Sequence, residues 1–137
     1  MRAIAILLIT AGLFTPALLR AADEGKDMRV YEMWTSYAES GKLDALNARF
    51  RDHTCKLFEK HGMTNIGYWS PTDPKQAEEK LIYILAFPSK EAAAKSWKDF
   101  GNDPEWKKAR AESEVDGKLV AKVESVYLNP TDYSKIK

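Results

Sequence analysis

Residues 41–69 (GKLDALNARFRDHTCKLFEKHGMTNIGYW) constrain this chain more than any other stretch. Apolar positions recur at helical spacing as far as Phe58, a glycine follows at 62, and an aromatic, strand-prone run ends at Trp69. With His53 at zero on a wheel of ~100° per residue, Leu46, Leu57, Phe50, Leu43 and Phe58 share one arc. That pattern predicts a helix over 42–60 with one face on a core, a left-handed stop at Gly62, and a strand over 63–70 turning back beneath the helix. On the same wheel His61 lies within the apolar arc in the last turn, His53 at its border, and Cys55 on the polar side.

The remaining segments supply partners for that unit. Residues 28–37 (MRVYEMWTSY) read as a strand with no purely polar face, so both sides need cover. Residues 71–79 are polar, with two prolines and no apolar anchor, and predict an exposed, mobile loop. Residues 80–87 (KLIYILAF) form a continuous apolar run suited to a central strand. Ser89 can cap a second helix, which Gly101-Asn102 should break. Asp103 and Pro104 are good N-cap and N1 residues for another helix over 105–114, and 119–128 read as the last strand. The order β-α-β-β-α-β is the ferredoxin-like split βαβ. It predicts an α+β fold, with a four-stranded antiparallel sheet and helices on one face. The other sheet face is too apolar for a monomer surface, and a face-to-face homodimer is the expected cover.

With 137 residues, one domain is expected. The net charge of +1 includes no long run of one sign, which argues against a nucleic-acid partner. Met1-Arg2, the apolar run 3–14 and the following Thr-Pro-Ala resemble a secretory leader, and the run is short for a membrane span of ~20 residues. Ala17, Ala21 and Ala22 each offer a small residue for cleavage; the leader is read as 1–22 and the domain as 23–137. The expected location is therefore periplasmic or secreted, with no stable membrane span once the leader is removed; an uncleaved N-terminal anchor is the other reading. The lone cysteine, Cys55, rules out an intrachain disulfide, so the core alone must hold the domain.

Three stretches carry a family resemblance. The first is Val30-Tyr31-Glu32-Met33 leading to Gly41-Lys42-Leu43. The second runs from Phe50-Arg51-Asp52-His53-Thr54 through Leu57-Phe58-Glu59-Lys60-His61-Gly62-Met63 to Gly67-Tyr68-Trp69. The third is Trp97-Lys98-Asp99-Phe100 with Asp103-Pro104-Glu105-Trp106. Together they resemble the NIPSNAP family of dimeric α/β-barrel proteins across nearly all of the mature region. The resemblance implies a fold and a homodimer rather than a reaction. The wider dimeric α/β-barrel group includes cofactor-free monooxygenases, haem-degrading enzymes and isomerases. Two departures stand out: Cys55 replaces an aliphatic residue, and Trp34-Thr35-Ser36-Tyr37 stands where Arg-Thr-Tyr is usual, which removes a strand-one arginine.

His61 and His53 are the candidate catalytic residues, as proton shuttles near neutral pH, although each also has a structural reading as a helix-end or border histidine. Eight residues apart on one helix, they cannot share a metal ion, and no metal site is predicted. Haem needs a single axial histidine and stays open; no cofactor is assigned. Cys55 reads as an exposed thiol, since Asp52 and Glu59 disfavour a thiolate. Tyr31, Tyr68, Trp69, Tyr83, Trp97 and Trp106 are the candidate ligand-binding residues, because buried Tyr and Trp tips want partners and often line pockets. No P-loop, dinucleotide fingerprint, nucleophile elbow, HExxH or paired CxxC is present. The expected function is binding of a small apolar or aromatic ligand in the helix–sheet cleft, with cofactor-independent monooxygenase or isomerase-type chemistry if it is an enzyme. The alternative is a non-catalytic interaction module.

Overall fold

The computed structural model describes residues 29–137; the leader expected over 1–22 lies outside the described residues. In chain order the elements are β1 (Val30–Ala38), α1 (Leu43–Arg49), a π-helical turn (Phe50–Thr54), α2 (Cys55–Lys60) and β2 (Thr64–Trp69). They continue with α3 (Pro74–Ala77), β3 (Lys80–Phe87), α4 (Lys90–Asn102), α5 (Pro104–Ser113) and β4 (Val120–Leu128). The strands form one antiparallel sheet in the order β2-β3-β1-β4, the ferredoxin-like arrangement expected from the sequence.

Register decides which side chains meet the helices. Trp34 stands opposite Tyr83 in β3 and Ser125 in β4, and alternate residues share a face. Glu32, Trp34 and Ser36 of β1 therefore join Leu81, Tyr83, Leu85 and Phe87 of β3 against α1, α2, α4 and α5. Phe58 of α2, 2% exposed, is the hub of this layer. Its ring centroid lies 4.9 Å from Phe100, 5.4 Å from Trp97, and 6.1 Å from both Phe50 and Tyr83. Stacked, tilted and edge-on pairs of this kind add to plain area burial.

The helix 43–60 ends as its sequence predicts. Gly62 has φ +78°, its N–H donates to the Glu59 carbonyl at 3.0 Å, and Met63 N–H donates to the Phe58 carbonyl at 3.0 Å, a Schellman stop. Its interior differs from the straight wheel. The π turn inserts about one extra residue, which advances everything after it by ~100°. Before the turn the buried positions are Leu46, Arg49 and Phe50; after it they are Thr54, Leu57 and Phe58. Cys55, placed outside by the straight wheel, is consequently half-buried against the core.

Two further boundaries are corrected. Residues 71–79 are not wholly loop: Asp73 caps α3 by accepting from Gln76 N–H at 3.1 Å. Gly101-Asn102 do not break α4, which runs through both. The stop is at Asp103 (φ −63°, ψ 126°), because Pro104 excludes the helical conformation from the residue before it.

On the sheet face away from the helices, residues 129–137 fold back over part of β1 and β4. Arg29 donates from Nε and Nη2 to the Lys137 carbonyl at 3.1 and 2.6 Å. Tyr31, Ile66, Ile84 and Leu128 meet Pro130 and Ile136 of this tail along a shallow groove. Trp69, Val126, Leu128 and Ile136 remain exposed.

Replacing Phe58 by alanine should cost about 3–5 kcal/mol, the range for large aromatic truncations in a core. Urea unfolding followed by far-UV dichroism measures it, and a loss below about 1 kcal/mol would contradict the hub role.

Candidate functional site

Between the helices and the β1/β4 side of the sheet lies a cleft of about 350 Å³. Its floor is Trp34, Ser36 and Tyr83, and Trp97, Phe100 and Trp106 wall it on the helix side. Arg49 borders it from α1, and Arg110, Glu114 and Lys118 stand around the same opening.

Arg49 owes its place to the π turn. On α1 it lies about 60° from Leu46, on the side away from Leu43 and Phe50, and the buried face reaches it only because the residues after the turn are rotated toward that side. Its side chain is 6% exposed and is held on one edge only. Nη1 donates to Glu114 Oε1 at 2.9 Å and to Ser113 Oγ at 3.2 Å, and the guanidinium lies 5.2 Å from the Trp106 ring centre. Burial pushes the Glu114 carboxyl up, but Arg49 and Arg110 together hold it below its ordinary value.

The indoles differ in what their N–H groups do. Trp97 packs on Trp34 at 4.9 Å and donates to the buried Glu32 carboxylate at 2.7 Å. Trp34 Nε1 has no partner among the described residues, and neither has Arg49 Nε. A buried donor left unpaired costs about 1–3 kcal/mol, and both of these are sealed behind the residues that border the cleft. The Tyr83 hydroxyl is pushed well up, by burial first and by the Glu32 charge second.

Of the residues singled out from the sequence, Tyr83, Trp97 and Trp106 come together in the cleft. Tyr68 packs beneath the helix, 5.5 Å from Tyr83 and 5.7 Å from Phe50, with its hydroxyl donating to Asn65 Oδ1. Burial, and then the neighbouring Cys55 thiol, push its pKa up. Tyr31 and Trp69 lie on the opposite sheet face. The Trp69 ring covers Gly67 so closely that a Cβ there would come within 2.6 Å of it.

The two imidazoles are apart from each other and from the cleft. His53 is exposed on the outer side of the π turn, in a shallow depression with Lys56, Lys60 and Glu105. His61 donates from Nε2 to Asp103 Oδ2 at 2.6 Å. Asp103 is buried and serves three donors: Lys60 Nζ at 2.9 Å, His61, and the Glu105 N–H at 2.7 Å. Lys60 first and His61 second hold its carboxyl far below the usual range. The N-cap of α5 thus also anchors the end of α2. Sequence reasoning missed Arg49, Glu32 and Glu114 as cleft or cleft-supporting groups. Arg49 faces inward only once the π turn has re-phased the helix, which a wheel does not show, and no sequence signal distinguishes the other two.

Among the described residues no group of three His, Cys, Asp or Glu side chains converges as a metal site, and no helix is long and apolar enough to cross a membrane.

Fold and cleft together define a ferredoxin-like α+β domain with a small-molecule-sized cavity between its two layers. The NIPSNAP family model matches residues 26–135, and the chain belongs to the NIPSNAP family. Its fold is shared with two crystal structures of NIPSNAP family proteins from Agrobacterium tumefaciens. One, of unknown function, is 20% identical with a TM-score of 0.68, covering 80% of this chain and 94% of that one. The other is 18% identical with a TM-score of 0.69, covering 80% and 99%. A candidate antibiotic biosynthesis monooxygenase from Nitrosomonas europaea has a looser likeness: 11% identity, TM-score 0.52, covering 76% and 99%. Among curated proteins none matches this chain.

The Asp103 carboxylate, depressed in the fold, contributes stability above its ordinary pKa of about 3.9 that is lost as pH falls toward its folded value. Asp103→Asn should therefore melt below the wild type at pH ~7, with the gap narrowing from pH ~4 toward ~2. Thermal melts across that range test it; a gap independent of pH would contradict the charged role.

Proposed function

We propose that this NIPSNAP-family protein is exported and acts as a homodimer that binds a small, flat, apolar or aromatic molecule in its helix–sheet cleft. The observation that carries this reading is the cleft itself. Its volume of about 350 Å³ is within the usual range of ligand sites, and three indoles and three other aromatic rings border it. Residues 3–14, apolar after a basic start, support export. Exposed Trp69, Val126, Leu128 and Ile136 on one sheet face support pairing of that face with a second copy.

Binding is favoured over oxygenase or isomerase chemistry by what borders the cleft. Neither imidazole does so, and the raised pKa of Tyr83 keeps its hydroxyl protonated at neutral pH. The Nitrosomonas protein shares the fold alone, and a shared fold does not bring an activity with it.

Native mass spectrometry of protein purified from its own source should show a dimer carrying a retained small molecule. Trp106→Ala, which opens one wall, should lose that molecule while remaining dimeric. Val126→Asp, on the open face, should give a monomer. A monomeric wild type would remove the dimer, and ligand retention unchanged by Trp106→Ala would remove the cleft as its site.

A further inference from the structure

Resting on the face-to-face dimer proposed above, we infer that residues 129–137 form an arm of that dimer: Tyr133 of each copy seats in the apolar groove that Ile66 and Ile84 line on the other.

The segment is fastened without being buried. Arg29 holds the Lys137 carbonyl with two hydrogen bonds, the Ser134 N–H donates to the Thr131 carbonyl at 3.0 Å, and Lys137 Nζ donates to the Asp132 carbonyl at 2.9 Å. Ordering a chain in this way costs conformational entropy. Yet Tyr133 is 84% exposed and Ile136 57%, and Tyr133 is the most exposed large apolar side chain among the described residues. The polar ties fix these side chains in place and leave their apolar surface to a partner.

The groove is the matching depression. It measures about 330 Å³ and is lined by Tyr31, Ile66, Ile84 and Leu128 together with the tail. Trp69 extends it: its ring covers Gly67, which pairs with Ile84, and remains half exposed.

Strand order makes arm and groove complementary between two copies. The tail continues β4 and is tied to Arg29 ahead of β1, whereas Ile66, Trp69 and Ile84 belong to β2 and β3. In the order β2-β3-β1-β4, a twofold axis along the strands between β3 and β1 lays the β4/β1 half of one copy over the β2/β3 half of the other. Each tail then meets a groove, and both contacts form at once, as an isologous interface requires. An axis across the strands would instead set the tail on the far end of β1 and β4. There Tyr37, Lys80, Lys122 and Glu124 form a charged cluster, a poor surface for Tyr133 and Ile136.

Sedimentation equilibrium of the purified protein tests the arm. Tyr133→Ala should weaken the dimer at least about tenfold, as loss of an interface aromatic does. Its far-UV dichroism should be unchanged, because the side chain touches little of its own chain. Ile66→Ala, in the groove, should weaken the dimer similarly, and the double variant should be hardly weaker than either single one, since both remove the same contact. A Tyr133→Ala dimer as tight as the wild type, or losses that simply multiply in the double variant, would overturn the arm while leaving the face-to-face dimer standing. A monomeric wild type would remove both.

Discussion

The π turn at Phe50–Thr54 sets the phase of the longest helical stretch against the sheet, and the layer above the sheet depends on it. A regular helix through these residues would point Thr54 and Phe58 about 80° round from Leu46 and Phe50. One inserted residue lets both groups face inward, at the cost of poorer hydrogen-bond geometry over a single turn. The same rotation carries Arg49 inside and leaves His53 in solvent. The cation is then held by Glu114, Ser113 and the Trp106 ring rather than by water. A buried guanidinium is tolerable only with such partners. Fold and site are in this sense one arrangement: the turn that resolves the packing also puts a charge beside the cleft.

Asp103 solves the complementary problem at the other end. The carbonyl end of α2 and the amide end of α5 meet where α4 stops, and their partial charges are opposite. One carboxylate accepts from the Glu105 amide of α5 while taking Lys60 and His61 from the end of α2. The imidazole is thereby tied to framework rather than to the cleft. Trp106, three residues beyond Asp103, is placed against Phe100 at 4.5 Å and over Arg49, so the anchor also steadies one wall.

Most of the fold was legible because its signals are local. Gly62, Ser89 and Asp103-Pro104 act on neighbouring amides, and each terminates or starts the element it should. The apolar run 80–87 coincides with β3. Where reading failed, the cause was non-local or cumulative. Gly101 remains helical since only Pro104 forces a stop, and Asp73 caps a helix too short to show a period. The site was less legible for a related reason. Sequence singled out the histidines as titratable near neutrality, yet cleft residues are chosen by helix phase and strand register. Trp34 and Trp97 differ only in that Glu32 lies within reach of one indole N–H and not the other. Nothing in the order of residues reports that.

The placement of β1 has a consequence for how the chain matures. This first strand is central, and one of its two neighbours is the last strand, with Tyr31 paired to Leu128. The sheet cannot close until the C-terminal segment has been synthesised, so the earlier part of the chain emerges with its central strand half-paired. Such delay is a hazard in a crowded cytosol. It would suit the export proposed above, since a chain threaded through a translocation channel has to pass before its layers seal.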